Sequence, residues 1–204
     1  RMPIEYRGQR YMGGYELTRP YGTFHKADLT VGVEVDRRRN EHTPPPGTSA
    51  EAERNFLATW VPVSDTRASP FAQLRTHDER YLSTSELETL ALEEEFRLGP
   101  ELLVRAYPAS SRLGSARNLV GLRTGAAVTC PLGNGLFRLV ASNRVRYEFE
   151  GRHHAGVVAD AGLASPKDGI GRLHLDGVVN ARYRNYLKRY FELGGDTRLR
   201  GYPQ

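Results

Sequence analysis

Apolar and polar residues alternate along most of this chain. The pattern is clear where Leu29, Val31, Val33 and Val35 are separated by Thr30, Gly32, Glu34 and Asp36. Successive side chains of a β-strand point to opposite faces of the sheet, so a period of two predicts a strand with one apolar and one polar face.

The longest alternation runs from Phe137 to Phe149, with apolar residues on most odd positions. At about 3.3 Å per residue this strand would be roughly 40 Å long. Strands in globular proteins are usually less than half that length. We expect a second long strand from Leu173 to Phe191. In both of these long strands, the apolar odd-numbered residues should face outward to lipid. The polar residues that should point to the interior are Arg144, Arg146, Asp176 and Arg182.

Turn signals separate these alternating stretches and organise the chain as a meander. They are Gly99-Pro100, Gly114-Ser115, residues 132–135, Gly151 and residues 166–169. Strands joined by short turns of this kind pair with their neighbours in antiparallel order. The pattern predicts about eight strands, with the least certain register between Arg67 and Ser85.

Two segments depart from the pattern, and neither marks a second domain. Residues 40–55 contain Pro44-Pro45-Pro46-Gly47 and predict a surface loop, with a short helical turn over Ala50 to Arg54. The opening stretch, Arg1 to Tyr15, has aromatic residues and glycines without a clear period. We therefore treat residues 1–204 as one domain.

Alternation is also found in soluble β-sandwiches, whose strands face a core on one side and water on the other. Three features favour a membrane barrel: long strands, repeated charge on the polar side, and aromatic residues near strand ends. No apolar run approaches the roughly 18 residues of a spanning helix, whereas barrel strands need only about ten residues each. The fold predicted is all-β, an antiparallel meander forming part of a transmembrane β-barrel.

The end of the chain carries the most specific motif. Phe191 to Tyr202 reads F-x-L-G-G-D-x-x-L-R-G-Y, with Gly194-Gly195 directly after a strand-like segment. This motif resembles the signature of the outer-membrane assembly-barrel superfamily, which includes BamA-type insertases and the bacterial surface antigen family. Taken alone, Gly194-Gly195-Asp196 could also be a turn after a strand, and Arg-Gly-Tyr could be an RNA-binding tripeptide.

The resemblance implies that the motif lies on a long surface loop folded back into the barrel lumen. Arg200 would be the cation in the lumen, Gly201 would permit the bend, and Tyr202 would pack on the inner wall. Gly194, Gly195 and Asp196 would form the preceding turn. In the family, the partner of this arginine is an acidic residue on a later strand, and periplasmic domains precede a sixteen-strand barrel. We therefore expect this chain to be the middle part of a longer protein.

Charge and cysteine content add little to this picture. The chain has a net charge of +5 and a pI near 9.5, but its basic residues are scattered among acidic ones. Arg37-Arg38-Arg39 is the only tight basic cluster, so we do not expect a nucleic-acid partner. Cys130 cannot form an internal disulfide, and its position after an alternating row favours a small buried or lipid-facing thiol over a nucleophile.

Motifs of enzymes and metal sites are weak in this sequence. There is no Gly-x-Ser-x-Gly elbow, no phosphate-binding Gly-x-x-x-x-Gly-Lys and no Cys-x-x-Cys. His153-His154 with Asp160, and His174 with Asp176, could serve as metal ligands, because imidazole and carboxylate at alternate strand positions point the same way. We instead expect His153-His154 in a turn, and His174 and Asp176 on the polar side of a strand. We therefore expect no catalytic residue, no metal and no cofactor.

The function expected from these observations is non-enzymatic: insertion, assembly or translocation of polypeptides at the outer membrane. The partners would be outer-membrane lipids and client polypeptides, and the resemblance leaves room for periplasmic or lipoprotein partners. One alternative is a soluble or periplasmic β-barrel or sandwich that binds an amphipathic or anionic ligand. Another is the barrel translocator of a patatin-like lipase.

Overall fold

The computed structural model describes residues 6–85, 93–149, 153–166 and 173–184, which form one antiparallel sheet and one α-helix. The strands are β1 (Arg7–Tyr21), β2 (His25–Glu41), β3 (Asp65–Asp78), β4 (Arg80–Ser85), β5 (Glu93–Ala109), β6 (Leu119–Leu132), β7 (Gly135–Glu148), β8 (His153–Ala164) and β9 (His174–Tyr183). The predicted all-β meander is confirmed, with nine strands rather than about eight.

The sheet follows the order of the chain. Its path is β1-β2-β3-β5-β6-β7-β8-β9, and β4 pairs only with β5. Every neighbouring pair is antiparallel. Within the described residues β1 pairs only with β2 and β9 only with β8, so the sheet is open at both edges.

The two long predicted strands are found in part as expected. β7 covers nearly all of the first, and β9 begins the second, whose continuation beyond residue 184 lies outside the described residues. β1 was not evident from the sequence, yet it pairs with β2 along its whole length. Gly13 and Gly14 break its hydrophobic period, and pairing with a strongly alternating neighbour supplies what the local pattern lacks.

The two ends of the sheet differ. At one end, which we call the turn end, residues 22–24 and 133–134 make short connections and residues 165–173 a longer one. At the other, the loop end, residues 42–64 and 110–118 make longer connections and residues 149–152 a short one. The longer loop contains α1 (Ala50–Thr59), whose N-cap Ser49 accepts a hydrogen bond from the Ala52 amide at 3.2 Å and whose Phe56 is buried. Among the described residues, no helix combines the length and apolarity required to cross a membrane.

One face of the sheet is apolar and solvent-exposed. Residues that pair directly from strand to strand form a row across the sheet. One such row crosses eight strands of this face without a charged side chain: Leu17, Val31, Ala72, Ala106, Leu122, Val145, Ala155 and Tyr183. Val31 is 47% exposed, whereas its neighbour Thr30 on the other face is 3% exposed. We call these the apolar face and the polar face. Their burial is the reverse of that in a water-soluble fold, where the apolar side is covered.

Candidate functional site

On the polar face, a row of directly paired residues also crosses the sheet. It contains Thr18, Thr30, Gln73, Arg105, Arg123, Arg144, Gly156 and Arg182, in the order in which the strands lie side by side. Three of these arginines occupy adjacent strands, directly opposite one another. Like charges placed directly opposite in a sheet repel, so this row has an electrostatic cost unless anions lie nearby.

Two carboxylates neutralise part of this face, and each serves two arginines. Glu34 lies 2.5 Å from Arg67 and also pairs closely with Arg105. Asp36 forms a two-pronged contact with Arg10 at 2.9 and 3.0 Å and lies 3.6 Å from Arg38. Bidentate arginine–carboxylate pairs of this kind fix geometry as well as charge.

Aromatic rings lie between these charged groups, and glycines on the neighbouring strand make room for them. A Cβ atom on Gly121 would lie 2.0 Å from Cζ of Tyr107, and one on Gly32 would lie 2.9 Å from Cε1 of Phe71. The Arg105 guanidinium lies 3.5 Å from the Phe71 ring centre, and that of Arg67 lies 4.5 Å from the Tyr107 ring centre. Cation–π contacts therefore hold the guanidinium groups against the sheet.

These side chains enclose a cavity of about 580 Å³ on the polar face of β1, β2, β3, β5, β6 and β7. This volume is within the range of ligand pockets. The charged residues that line it are five arginines, Arg10, Arg67, Arg105, Arg123 and Arg144, and three acids, Glu16, Glu34 and Asp36. Five positive charges against three negative ones leave the cavity with a net charge of +2.

Two of the cavity arginines are not neutralised. Arg123 is exposed and Arg144 half-buried, and among the described residues neither has an ion-pair partner within 4.0 Å. The Tyr107 side chain beside them is 2% exposed, and its hydroxyl lacks a hydrogen-bond partner among the described residues. The cavity thus keeps unused donors at its β6–β7 side.

A second feature of the polar face is a two-stranded ribbon at the turn end. It consists of β4 and residues 93–98 of β5, which pair only with each other. Leu82, Phe96 and Leu98 of the ribbon pack against Leu136 and Ala164, the polar-face residues at the turn end of β7 and β8. A cavity of about 260 Å³ remains between ribbon and sheet. The ribbon therefore lies across one end of the polar face.

The bend that directs the ribbon is fixed by backbone geometry and charge. Gly99 has φ +95°, and a Cβ there would lie 2.7 Å from Oδ2 of Asp78. Asp78 pairs with His25 at 2.5 Å, and Glu79, between β3 and β4, pairs with Lys26 at 3.1 Å. The hydrogen bond from Lys26 holds the pKa of the Glu79 carboxyl below its usual range.

The structure locates some predicted site residues and leaves others undescribed. The lumen-loop motif, Gly194, Gly195, Asp196, Arg200, Gly201 and Tyr202, lies outside the described residues. Arg144 and Arg146 lie on the polar face, as predicted, and Arg146 is 2% exposed and 3.6 Å from Asp65. Asp176 and Arg182 lie on the same face of β9, opposite Gly162 and Gly156.

The structure places the His153-His154 pair and Cys130 on strands. His153 and His154 are the first residues of β8, so their prediction as a turn was wrong, because pairing with Tyr147 and Arg146 extends the ladder to them. His153 stacks on Tyr147 at 4.5 Å. Cys130 is exposed on the apolar face. In the described part of the chain, no group of three or more His, Cys, Asp or Glu residues could hold a metal ion.

The sequence pointed to single polar-face arginines but missed the cavity. Arg67, Arg105 and Arg123 lie in stretches where the alternation is short or irregular. Arginine recurs at the polar positions of several strands, and this recurrence was the evidence for the site in the sequence. Only the register between strands shows that these arginines lie side by side. Comparisons with protein-family models, curated proteins and solved structures found no match for this chain.

Proposed function

We propose that this chain is part of an outer-membrane β-barrel that inserts, assembles or translocates polypeptides. The observation that carries the proposal is the reversed burial of the sheet, with aliphatic residues exposed and charged residues shielded. Val33 is 55% and Val179 67% exposed, while Arg146 and Glu148 are each 2% exposed. A soluble monomer rarely exposes an apolar surface of this extent, whereas lipid covers it without cost.

Strand length and connections support the same proposal. The strands on the main path of the sheet have 10 to 17 residues. About 9–11 tilted residues are enough to cross the hydrocarbon region. Outer-membrane barrels have short periplasmic turns and longer external loops. The longest connection between described strands, residues 42–64 with α1, lies at the loop end, so by that rule the loop end faces outward. β9 also ends there.

The resemblance of Phe191 to Tyr202 to the assembly-barrel signature favours handling of client polypeptides over passive diffusion of solutes. In such a role, a barrel edge that opens would pair with a client strand, because strand addition gives affinity through main-chain hydrogen bonds.

We expect the full-length protein to fractionate with outer membranes. In detergent without heating it should migrate differently on a gel from its boiled form, because closed membrane ladders resist unfolding by detergent. A boiled sample of the same preparation is the control. Purification as a detergent-free monomer would instead support the soluble ligand-binding alternative.

The family resemblance is tested by Arg200→Ala in the full-length protein. Loss of a charge-assisted pair should loosen the motif loop, so protease cleavage around Gly194 to Pro203 should increase and transport or assembly should fall, while the barrel stays folded. Arg200→Lys should rescue only in part, because lysine lacks the planar guanidinium fork. If both variants keep loop protection and activity, the motif is an ordinary turn.

A further inference from the structure

The polar face carries cations that the described residues do not neutralise. Arg123 and Arg144 lie directly opposite each other on β6 and β7, and Arg105 lies opposite Arg123 on the other side. Two acids of the cavity, Glu34 and Asp36, already contact Arg67, Arg105, Arg10 and Arg38, and the third, Glu16, lies on β1, four strands from β6 in the sheet order. A like-charged pair on adjacent strands is unfavourable by itself, so an anion bound between them would relieve the repulsion.

Further groups are placed to hold such an anion. The Tyr107 hydroxyl is buried at the cavity wall and has no hydrogen-bond partner among the described residues, so a shift of its ring toward the cavity would let it donate to a bound anion. Phe71 and Tyr107 are buried, and Arg105 and Arg67 stack on their rings, so the aromatic groups hold these cations in place. Ion pairing with Glu34 and stacking on Phe71 already restrain Arg105, so this side of the site is ordered in advance.

We infer that this site, Arg123, Arg144 and Tyr107 with Arg105 beside them, binds the carboxylates of an acidic polypeptide segment. The inference deepens the proposed function and rests on it, since it names the part of a client that the polar face would hold. The carboxylates would lie between Arg123 and Arg144, next to Arg105.

The arrangement of the arginines favours a polypeptide over a single phosphate. Strands lie about 4.8 Å apart, so the three arginines form a line of roughly 10 Å rather than a converging cluster. An extended peptide presents same-side residues about 6.6–6.8 Å apart, so two carboxylates can contact such a line together. One phosphate would use only part of it.

The experiment measures binding of a fluorescent peptide to the purified full-length protein in detergent micelles. The probe is an eight-residue peptide of alternating glutamate and serine, and its counterpart has glutamine in place of glutamate. The test variants are Arg123→Gln/Arg144→Gln and Arg123→Glu. The second places a carboxylate opposite Arg144, which should favour folding while it blocks the site. Arg138→Gln is the matched control, on the same face of β7 but six residues, about 20 Å, from Arg144.

We expect the acidic peptide to bind, the glutamine peptide not to bind, and both test variants to weaken binding about tenfold or more, as loss of charge-assisted contacts predicts. Arg138→Gln should change it by less than about twofold, within the usual effect of a distant site. Equal weakening by Arg138→Gln, or no binding of the acidic peptide, overturns the inference. Displacement of the peptide by inorganic phosphate too dilute to alter ionic strength also overturns it, in favour of a small-anion site.

The outcomes for this site and for the proposed function are separable. Membrane fractionation and the heat-dependent gel shift test the barrel without any peptide, and both are expected in the arginine variants. A protein that shows the gel shift but binds no acidic peptide retains the proposed function and loses this site. A protein that purifies without detergent loses the proposed function, and its peptide binding can still be measured.

Discussion

Ala141→Arg should strongly impair membrane assembly, whereas Ser142→Arg should not. The two residues are neighbours near the centre of β7 on opposite faces. Ala141 is exposed in an apolar row with Leu102, Ala126, Ala159 and Val179, and Ser142 lies on the polar face beside Gly125. An arginine facing lipid near the bilayer midplane costs about 2–4 kcal/mol, but the same residue facing a wet interior costs little.

The measurement is the amount of heat-shifted protein in outer membranes, together with the urea midpoint after folding into lipid vesicles. The pair is its own control, because both substitutions add the same side chain at adjacent positions. Equal yields and equal midpoints for the two variants would show that the apolar face does not contact lipid. The proposal of a membrane barrel would then lose its main support.

Gly121→Ala should destabilise the protein by displacing Tyr107. The added Cβ would lie 2.0 Å from the ring, which is closer than any van der Waals contact, so the ring must leave its buried position among Phe71, Ala109 and Leu119. Forced overpacking of this kind costs about 1–3 kcal/mol. The stacking of Arg67 on Tyr107 should be lost with it.

Gly125→Ala is the matched control for this prediction. It lies on the same strand and face, and its Cβ would make an ordinary contact at 3.6 Å from Leu103 Cβ. The free energy of unfolding in detergent, from urea titration, should therefore fall for Gly121→Ala and stay nearly unchanged for Gly125→Ala. In a Tyr107→Ala background Gly121→Ala should cost little, and a full cost there would contradict the packing explanation.

Much of the fold was predictable because strand alternation is a local property. β2 and β7 each repeat an apolar–polar period over many residues, and a period of two can only place the two classes on opposite faces. β1 was harder, because Gly13 and Gly14 interrupt its period and only pairing with β2 defines it. The helix was also underestimated: the sequence predicted a turn over Ala50 to Arg54, and α1 extends to Thr59 because Phe56 is buried.

The ribbon of β4 and the start of β5 could not be predicted from the pattern. Its bend depends on Gly99 at positive φ and on the contacts of Asp78 with His25 and Arg80. His25, Asp78 and Gly99 are distant from one another in sequence, so local propensities do not show that they meet. The docking of Phe96 near Leu136 likewise results from the sheet order rather than from either segment.

The sequence alone determined that this chain alternates apolar and polar residues, and therefore that it forms long antiparallel strands with two unlike faces. It also placed single arginines, such as Arg144, on the polar side. Only the tertiary structure decided that Arg105, Arg123 and Arg144 lie side by side around a cavity, because the register between strands depends on pairing along their full length. It also showed that the apolar face is exposed while charged side chains such as Arg146 and Glu148 are buried, because long polar side chains from neighbouring strands pack against one another around a common cavity.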